Sequence, residues 1–295
     1  MGTEGYVAFR GFKTFYRIEG QLDPQSTALP VVVLHGGPGL PHGYLEPLAR
    51  LADMGRAVVF YDQLGCGKSD RPDDDALWTM ATFEDELDHV LDQLHVGRFH
   101  LFGHSWGGWL ALQYILDRQP KDVVSLVAAS TCASLPAFAE TTRALKQQLP
   151  EETQRVLDEH EAAGTTDDPA YGEAAMAYIT QWLIRGEIPD YVFAAKAAEN
   201  ERVAAIMQGP EWNVTGRLKD WDVTARLGEV RIPVLVTSGR FDEMTPELIR
   251  PLVAGLPDAT WTLFEESAHM AHIEEQDAYL AAVAAHLERC EATRE

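Results

Sequence analysis

The sequence has few basic residues and no long apolar run. Against 46 aspartates and glutamates it has only 24 lysines and arginines, which gives a formal net charge of −22 over 295 residues. Because nucleic acids and anionic lipid surfaces repel such a chain, we expect neither as a partner. No apolar run approaches the roughly 20 residues that a membrane-spanning helix needs. The first 20 residues also lack the charged and apolar regions of a signal peptide.

Cysteine is scarce as well. The three cysteines are an odd number and lie far apart, at positions 66, 132 and 290. This pattern does not suit a disulfide framework and predicts reduced thiols in a cytoplasmic protein. The hydrophobic fraction of 46% and the charged fraction of 24% are typical of a soluble globular protein. A length near 300 residues is enough for a large buried core.

Six short apolar runs, rich in β-branched and aromatic residues, predict the buried strands of a parallel sheet. They are residues 31–34, 57–61, 99–102, 123–127, 232–236 and 261–264. Helix-like stretches such as 83–94 and 109–116 lie between them. This alternation predicts an α/β fold, with a mostly parallel central sheet and helices on both faces. Residues 6–18 alternate around a glycine and predict an antiparallel hairpin at the sheet edge.

The alternation stops after residue 131. From about residue 133 to residue 226 there is no convincing strand; Ala, Glu, Gln and Leu dominate, and prolines and glycines interrupt the segment. We therefore predict a core domain made of residues 1–132 and 227–295, with residues 133–226 inserted as a helical cap. Five large aromatic residues could either wall a small site beneath the cap or belong to the core: Trp106, Phe138, Tyr178, Trp182 and Trp212.

Residues 103–108, with the sequence GHSWGG, have the G-x-S-x-G pattern of a nucleophile elbow. They stand between a predicted strand and a predicted helix, which is the context that this turn requires. The turn is so sharp that side chains at Gly103 and Gly107 would collide with neighbouring chain. Ser105 would then stand at the apex, with its hydroxyl exposed above the sheet.

A serine hydroxyl is a weak nucleophile and needs a base with an orienting acid. In this architecture the order along the chain is serine, acid, histidine. Asp242 follows the fifth predicted buried strand and His269 follows the sixth. The sequence therefore predicts a catalytic triad of Ser105, Asp242 and His269. His272 is a rival base, but it is better explained as a residue in the first turn of the last helix.

A tetrahedral intermediate needs backbone N–H donors aimed at its oxyanion. The residue after the nucleophile, Trp106, is expected to supply one donor. The glycine-rich segment 35–39 follows an earlier strand and is expected to supply the other. Gly37 is the best candidate there, because glycine lets the backbone approach a substrate closely. His35 is interpreted as a structural hydrogen-bonding residue.

Five segments together resemble the proline iminopeptidases, which are serine aminopeptidases of the α/β-hydrolase fold. They are H-G-G-P-G at 35–39, D-Q-x-G-x-G-x-S at 62–69, the elbow at 103–108, G-x-x-D-E-x-T-P at 239–246 and S-x-H at 267–269. The resemblance extends over essentially the whole chain, including the position and size of the helical insertion. It implies an α/β-hydrolase fold with an inserted cap, an acyl-enzyme mechanism and no metal or organic cofactor.

The resemblance also implies two glutamates that bind the α-amino group of the substrate. One directly follows the triad acid and is matched by Glu243. The other comes from the cap near a Gly-Pro and is matched by Glu211, in a segment one residue shorter than the family pattern. Such carboxylates would hinder a neutral ester substrate but complement an ammonium group. The alternative is that both are surface residues of an acidic protein.

These features predict a serine aminopeptidase that releases an N-terminal residue, proline or another small or apolar residue, from a small peptide or aminoacyl substrate. The alternatives are an esterase, a lactonase, an amino-acid amidase or a biosynthetic acyl hydrolase on the same scaffold.

Overall fold

The structure, a computed structural model, describes residues 2–292. Within them the strands are β1 (Thr3–Phe9), β2 (Phe12–Glu19), β3 (Val31–Leu34), β4 (Val58–Asp62), β5 (Phe99–His104), β6 (Val123–Ala129), β7 (Val234–Gly239) and β8 (Ala259–Phe264). They form one sheet in the order β1-β2-β4-β3-β5-β6-β7-β8. The β1–β2 hairpin joins β4 in antiparallel pairing, and β3 to β8 are all parallel. The predicted α/β fold and edge hairpin are confirmed.

The helices lie between these strands and after the last of them. They are α1 (Met80–Gln93), α2 (Trp106–Arg118), α3 (Leu135–Lys146), α4 (Glu151–Ala163), α5 (Pro169–Tyr178), α6 (Asp190–Ala197), α7 (Glu201–Met207), α8 (Pro246–Gly255), α9 (Ala271–Glu274) and α10 (Gln276–Ala292). A π-helical turn, Ile179–Leu183, follows α5, and a long 3₁₀ segment spans His42–Met54. Across residues 2–292, no helix combines the length and apolarity required to cross a bilayer.

The sheet separates two apolar cores, because successive strand side chains point to opposite faces. Val32 and Leu34 of β3 pack in the core that contains α1, α2 and α8. Val31 and Val33 pack in the core that contains α10 and the 3₁₀ segment. All four are fully buried, as the apolar run predicted. β8 differs from the prediction: it is an edge strand of the sheet, and only Phe264 within it is buried.

The nucleophile elbow is tighter than the sequence indicated. β5 continues through His104 and α2 begins at Trp106, so Ser105 alone lies between strand and helix. A Cβ added at Gly103 would lie 2.3 Å from the Gly107 oxygen, and one added at Gly107 would lie 2.1 Å from the Leu34 oxygen. The strand and the helix can therefore approach this closely only because both positions are glycine.

The segment between β6 and β7 is helical, as predicted, and contains α3 to α7. It has a small core of its own, formed by Leu145, Leu149, Leu157, Ala174, Tyr178, Trp182 and Trp212. The Leu135 N–H donates to the Trp221 oxygen and the Val223 N–H to the Ala133 oxygen, both at 2.9 Å. Because these bonds tie the two ends of the segment together, we propose residues 133–226 as the bounds of the cap.

Gly107→Ala tests the constraint at the elbow. The new Cβ would overlap the backbone oxygens of Leu34 and His35, which cannot move independently of β3. We expect the free energy of unfolding, measured by urea denaturation, to fall by about 3 kcal/mol. The control is Gly172→Ala in α5, where an added Cβ meets no atom within 4 Å. There we expect a gain of about 0.5–1 kcal/mol, and equal effects of the two substitutions would contradict the account.

Candidate active site

Ser105 is held in a backbone conformation that residues with a side chain rarely adopt. Its φ is 55° and its ψ is −121°, outside the common allowed regions. The Ser105 N–H donates to the Ala129 oxygen at 2.9 Å. Its own carbonyl accepts the Thr131 hydroxyl at 3.0 Å and the Gly108 N–H at 2.8 Å. These bonds fix the serine at the carboxyl end of the parallel strands, where open α/β sheets place their active sites.

Asp242 and His269 lie together in the protein interior. The His269 Nδ1 donates to Asp242 Oδ1 at 2.8 Å, and the two residues are 4% and 1% exposed, respectively. Oδ1 also accepts the Met244 N–H at 2.8 Å. The residues meet because the neighbouring parallel strands β7 and β8 end at the same sheet edge. The carboxylate holds the proton on Nδ1 and leaves Nε2 as the basic nitrogen.

A chain of hydrogen bonds connects this pair to the elbow. The Gly36 N–H donates to the Tyr44 hydroxyl at 2.7 Å, which donates to His104 Nδ1 at 2.8 Å. His104 Nε2 then donates to the His269 carbonyl at 3.0 Å, and the two imidazole rings are 4.7 Å apart. Because His104 directly precedes Ser105, the chain places the base loop beside the nucleophile. Sequence reasoning missed Tyr44 and His104, although His104 stands inside the elbow motif.

The electrostatics of the two histidines separate the candidate bases. Burial opposes the charged form of His269, but the Asp242 carboxylate outweighs it and raises the histidine's pKa above its ordinary value. Burial lowers the pKa of His272 to about 3. His272 belongs to the short helix α9, and its Nε2 donates to the Tyr44 carbonyl at 3.2 Å. His272 is therefore a neutral structural residue, as the sequence favoured, but it lies in α9 and not in the last helix, α10.

The two predicted oxyanion donors belong to segments that meet at Ser105. Trp106 is the first residue of α2, so its N–H has no acceptor within the helix. The glycine-rich loop passes the nucleophile closely, since a Cβ added at Gly36 would lie 3.2 Å from Ser105 Cβ. Gly37 follows with a φ of 111°, which favours glycine. The assignment of Gly37 and Trp106 to the oxyanion hole stays a prediction.

The buried side chain of His35 holds this loop in place by hydrogen bonds. Its Nδ1 donates to the Gly36 oxygen and its Nε2 accepts the Gln63 N–H, both at 2.9 Å. The Trp106 indole donates to the Gln63 side-chain oxygen at 2.7 Å. Burial lowers the pKa of His35 to about 4. His35 therefore has the structural role that the sequence predicted, and it links the loop to the second glycine-rich motif.

Glu211 and Glu243 come together although one belongs to the inserted helical region and the other follows β7. Their carboxyl groups are close enough for each to shift the pKa of the other. The Tyr178 hydroxyl donates to Glu243 Oε2 at 3.1 Å, and the Gln208 amide donates to Glu211 Oε1 at 3.2 Å. Glu243 is 1% exposed and Glu211 is partly buried. Neither is an exposed surface residue.

This pair borders the candidate base and disfavours full ionisation. Glu243 Oε1 lies 4.0 Å from His269 Nδ1. Burial raises the pKa of Glu211, and burial together with repulsion from Glu211 and Asp242 raises that of Glu243 well above its usual range. Ionisation of both carboxyl groups at once is therefore disfavoured when no cation is bound. A cation bound between the carboxylates would favour the ionised form of both.

One backbone carbonyl of the π-helical turn joins the acid loop to the base loop. The Trp182 oxygen accepts the N–H groups of Glu243 and His269, both at 3.3 Å. The next carbonyl, of Leu183, accepts the Met270 N–H at 3.1 Å. The inserted region is thus part of the site. Sequence patterns could not reveal this contact, because a carbonyl group is common to every residue type.

The chain resembles known hydrolases over most of its length. Residues 30–276 match the alpha/beta hydrolase fold family. The proline iminopeptidase of Levilactobacillus brevis is 39% identical over 282 residues, which cover 94% of each chain. The chain belongs to the proline iminopeptidase family.

Two solved structures extend this relationship to three dimensions. The proline iminopeptidase from Mycobacterium smegmatis superposes with a TM-score of 0.89 at 37% identity, covering 99% of this chain and 100% of the other. The structure of VinJ gives a TM-score of 0.92, also at 37% identity, covering 98% and 99%. The similarity to proline iminopeptidases therefore includes the inserted helices as well as the sheet.

The pH dependence of the reaction tests the role given to His269. The histidine must be neutral to accept a proton, and Asp242 raises its pKa. Activity is therefore expected to fall as the pH drops through a midpoint above the ordinary histidine value of about 6.5. We would measure kcat/KM for an ester without an amino group, so that the substrate does not titrate. A midpoint below 6.5 would contradict the assignment. As a control, Ser105→Ala with Asp242→Asn should show a lower His269 pKa by NMR than Ser105→Ala alone.

Proposed function

We propose that this chain is a serine aminopeptidase. It releases the first residue, proline or another small or apolar residue, from small peptides or aminoacyl amides in the cytoplasm. The observation that carries the proposal is the pairing of the buried Glu243 carboxyl group with the partly buried Glu211, beside the hydrogen-bonded Asp242 and His269. A buried pair of this kind is costly unless a cation compensates it. The α-ammonium group of a peptide supplies that charge.

In the proposed reaction, Ser105 Oγ attacks the carbonyl carbon of the first residue while His269 Nε2 accepts its proton. Asp242 orients the imidazole and stabilises its charged form. The N–H groups of Gly37 and Trp106 stabilise the oxyanion. The protonated His269 then donates its proton to the leaving amine, and the first residue remains as an ester on Ser105. A water molecule, activated by His269, hydrolyses this ester and releases the free amino acid.

The carboxylate pair sets the register of cleavage. An ammonium group bound by Glu211 and Glu243 is fixed at the end of the site, so that the carbonyl of the first residue reaches Ser105. An acylated nitrogen is neutral, so it cannot compensate the charge of the two carboxylates. An ester enzyme would gain nothing from burying two carboxyl groups here, which favours the aminopeptidase over an esterase or a lactonase.

The aromatic residues around this pair favour a small first residue. The ring of Tyr178 lies 4.7 Å from that of Trp182 and 4.9 Å from that of Trp212, and its hydroxyl contacts Glu243. All three are buried in the core of the inserted region. Trp106 and Phe138 pack instead in the main core. We propose that Tyr178, Trp182 and Trp212 limit the space above the amine site.

A substrate panel tests this function. We expect L-prolyl p-nitroanilide to be hydrolysed, and N-acetyl-L-prolyl p-nitroanilide to have a kcat/KM at least roughly 100-fold lower, because acetylation removes the charge that the carboxylates bind. Ser105→Ala should lower kcat by roughly 10⁶-fold, whereas Ser26→Ala, in a loop before β3, should not.

Equal rates for the acetylated and free-amine substrates would contradict the aminopeptidase and leave a general hydrolase. Substantial activity of pure Ser105→Ala protein would contradict the mechanism itself.

A further inference from the structure

Gln208 presents a buried acceptor to the amine site. The residue is 3% exposed, and its Nε2 donates to Glu211 Oε1 at 3.2 Å. Its Oε1 is buried and has no hydrogen-bond partner among residues 2–292. Buried acceptors are nearly always paired, since leaving one unpaired destabilises the protein. This unpaired oxygen belongs to the same amide group that contacts Glu211. It therefore points to a hydrogen-bond donor that the substrate supplies.

The position of Gln208 is fixed by its backbone. It directly follows α7; its N–H donates to the Ala204 oxygen at 2.9 Å. Its carbonyl accepts the N–H groups of Thr215 and Gly216, at 3.0 and 2.8 Å. Gly216 packs so closely that an added Cβ would lie 2.5 Å from the Gln208 nitrogen. The side-chain amide is thus held at the carboxylate pair by a closed loop, 208–216, that also carries Glu211.

The orientation of the amide follows from the same contacts. When an ammonium group keeps both carboxylates ionised, Nε2 is the end of the amide that can face Glu211. The reverse orientation would bring two acceptor oxygens together. Oε1 therefore remains without a partner beside Glu211.

The number of N–H groups on the substrate's ammonium indicates what this acceptor binds. The ammonium of an N-terminal proline has two N–H groups, and that of any other residue has three. Glu211 and Glu243 can each accept one. We propose that Gln208 Oε1 accepts the third N–H of a primary ammonium. On this basis the enzyme cleaves substrates with a primary N-terminal amine, such as alanyl amides, and Gln208 determines their rate relative to prolyl substrates. The inference rests on the proposed aminopeptidase function.

The test compares three p-nitroanilides: L-alanyl, N-methyl-L-alanyl and L-prolyl. The first has three ammonium N–H groups, and the other two have two. In the wild-type enzyme we expect a kcat/KM for the alanyl substrate about 10-fold or more above that for its N-methyl analogue, the value of one hydrogen bond to a charged group. In Gln208→Met the alanyl substrate should lose about 10-fold more than the other two.

The ratio between substrates separates this role from simple support of Glu211. Loss of the Nε2 contact lowers all three rates together, whereas loss of Oε1 lowers only the alanyl rate. Gln208→Glu, whose protonated carboxyl has the shape and the donor–acceptor pattern of the amide, should restore the alanyl preference. Gln148→Met, at an exposed position that follows α3, is the matched control and should change nothing.

Four results would overturn the inference. Two concern Gln208→Met: equal losses for all three substrates, or no loss for any of them. Two concern the wild-type enzyme: cleavage of prolyl but not alanyl substrates, or equal rates for alanyl and N-methylalanyl substrates. The wild-type comparison still tests the preference for a primary ammonium if Gln208→Met does not fold, which its melting temperature would show. Failure of the wild-type enzyme to cleave any free-amine substrate would instead overturn the proposed function.

Discussion

The backbone of Gly107 lies directly against the carbonyl oxygen of Leu34, and the rest of the site depends on this contact. It lets α2 begin one residue after β5, which forces Ser105 into its unusual backbone conformation. The same approach directs the N–H groups at the start of α2 toward the substrate side of the sheet. It also brings the glycine-rich loop that follows Leu34 against the nucleophile. A single close backbone contact thus positions the proposed nucleophile and both proposed oxyanion donors.

The base and the amine site are attached to this centre by hydrogen bonds that do not depend on the triad itself. Tyr44 and His104 connect the glycine-rich loop to the loop of His269. The Trp182 carbonyl holds the backbones of Glu243 and His269 together. The inserted region is consequently part of the site: it supplies Glu211, Tyr178 and the carbonyl that holds the acid loop and the base loop together. The two carboxyl groups held in this frame disfavour joint ionisation unless a cation compensates their charge.

The sequence was sufficient for the features that a repeating pattern or a steric rule controls. The strands followed from apolar runs, and Asp242 and His269 followed from the order serine, acid, histidine and from their positions after the last two predicted strands. The start of α2 was predicted three residues late, because two glycines with low helix propensity hide it. The partial exposure of β8 depends on its place at the sheet edge. Tyr44, Trp182 and Gln208 act through contacts between segments distant in sequence, and no local pattern marks them.

The most direct test of the account is the effect of Glu243→Gln on two reactions of the same active site. Glutamine keeps the size of the side chain but not its charge. The account predicts that kcat/KM for L-prolyl p-nitroanilide falls roughly 100-fold or more, the loss expected for an unpaired buried ammonium, while the ester p-nitrophenyl acetate is hydrolysed at nearly the wild-type rate. Glu247→Gln, at an exposed position in α8, should affect neither. Parallel losses for both substrates, or no loss for either, would contradict the assignment of Glu243 to the substrate amine.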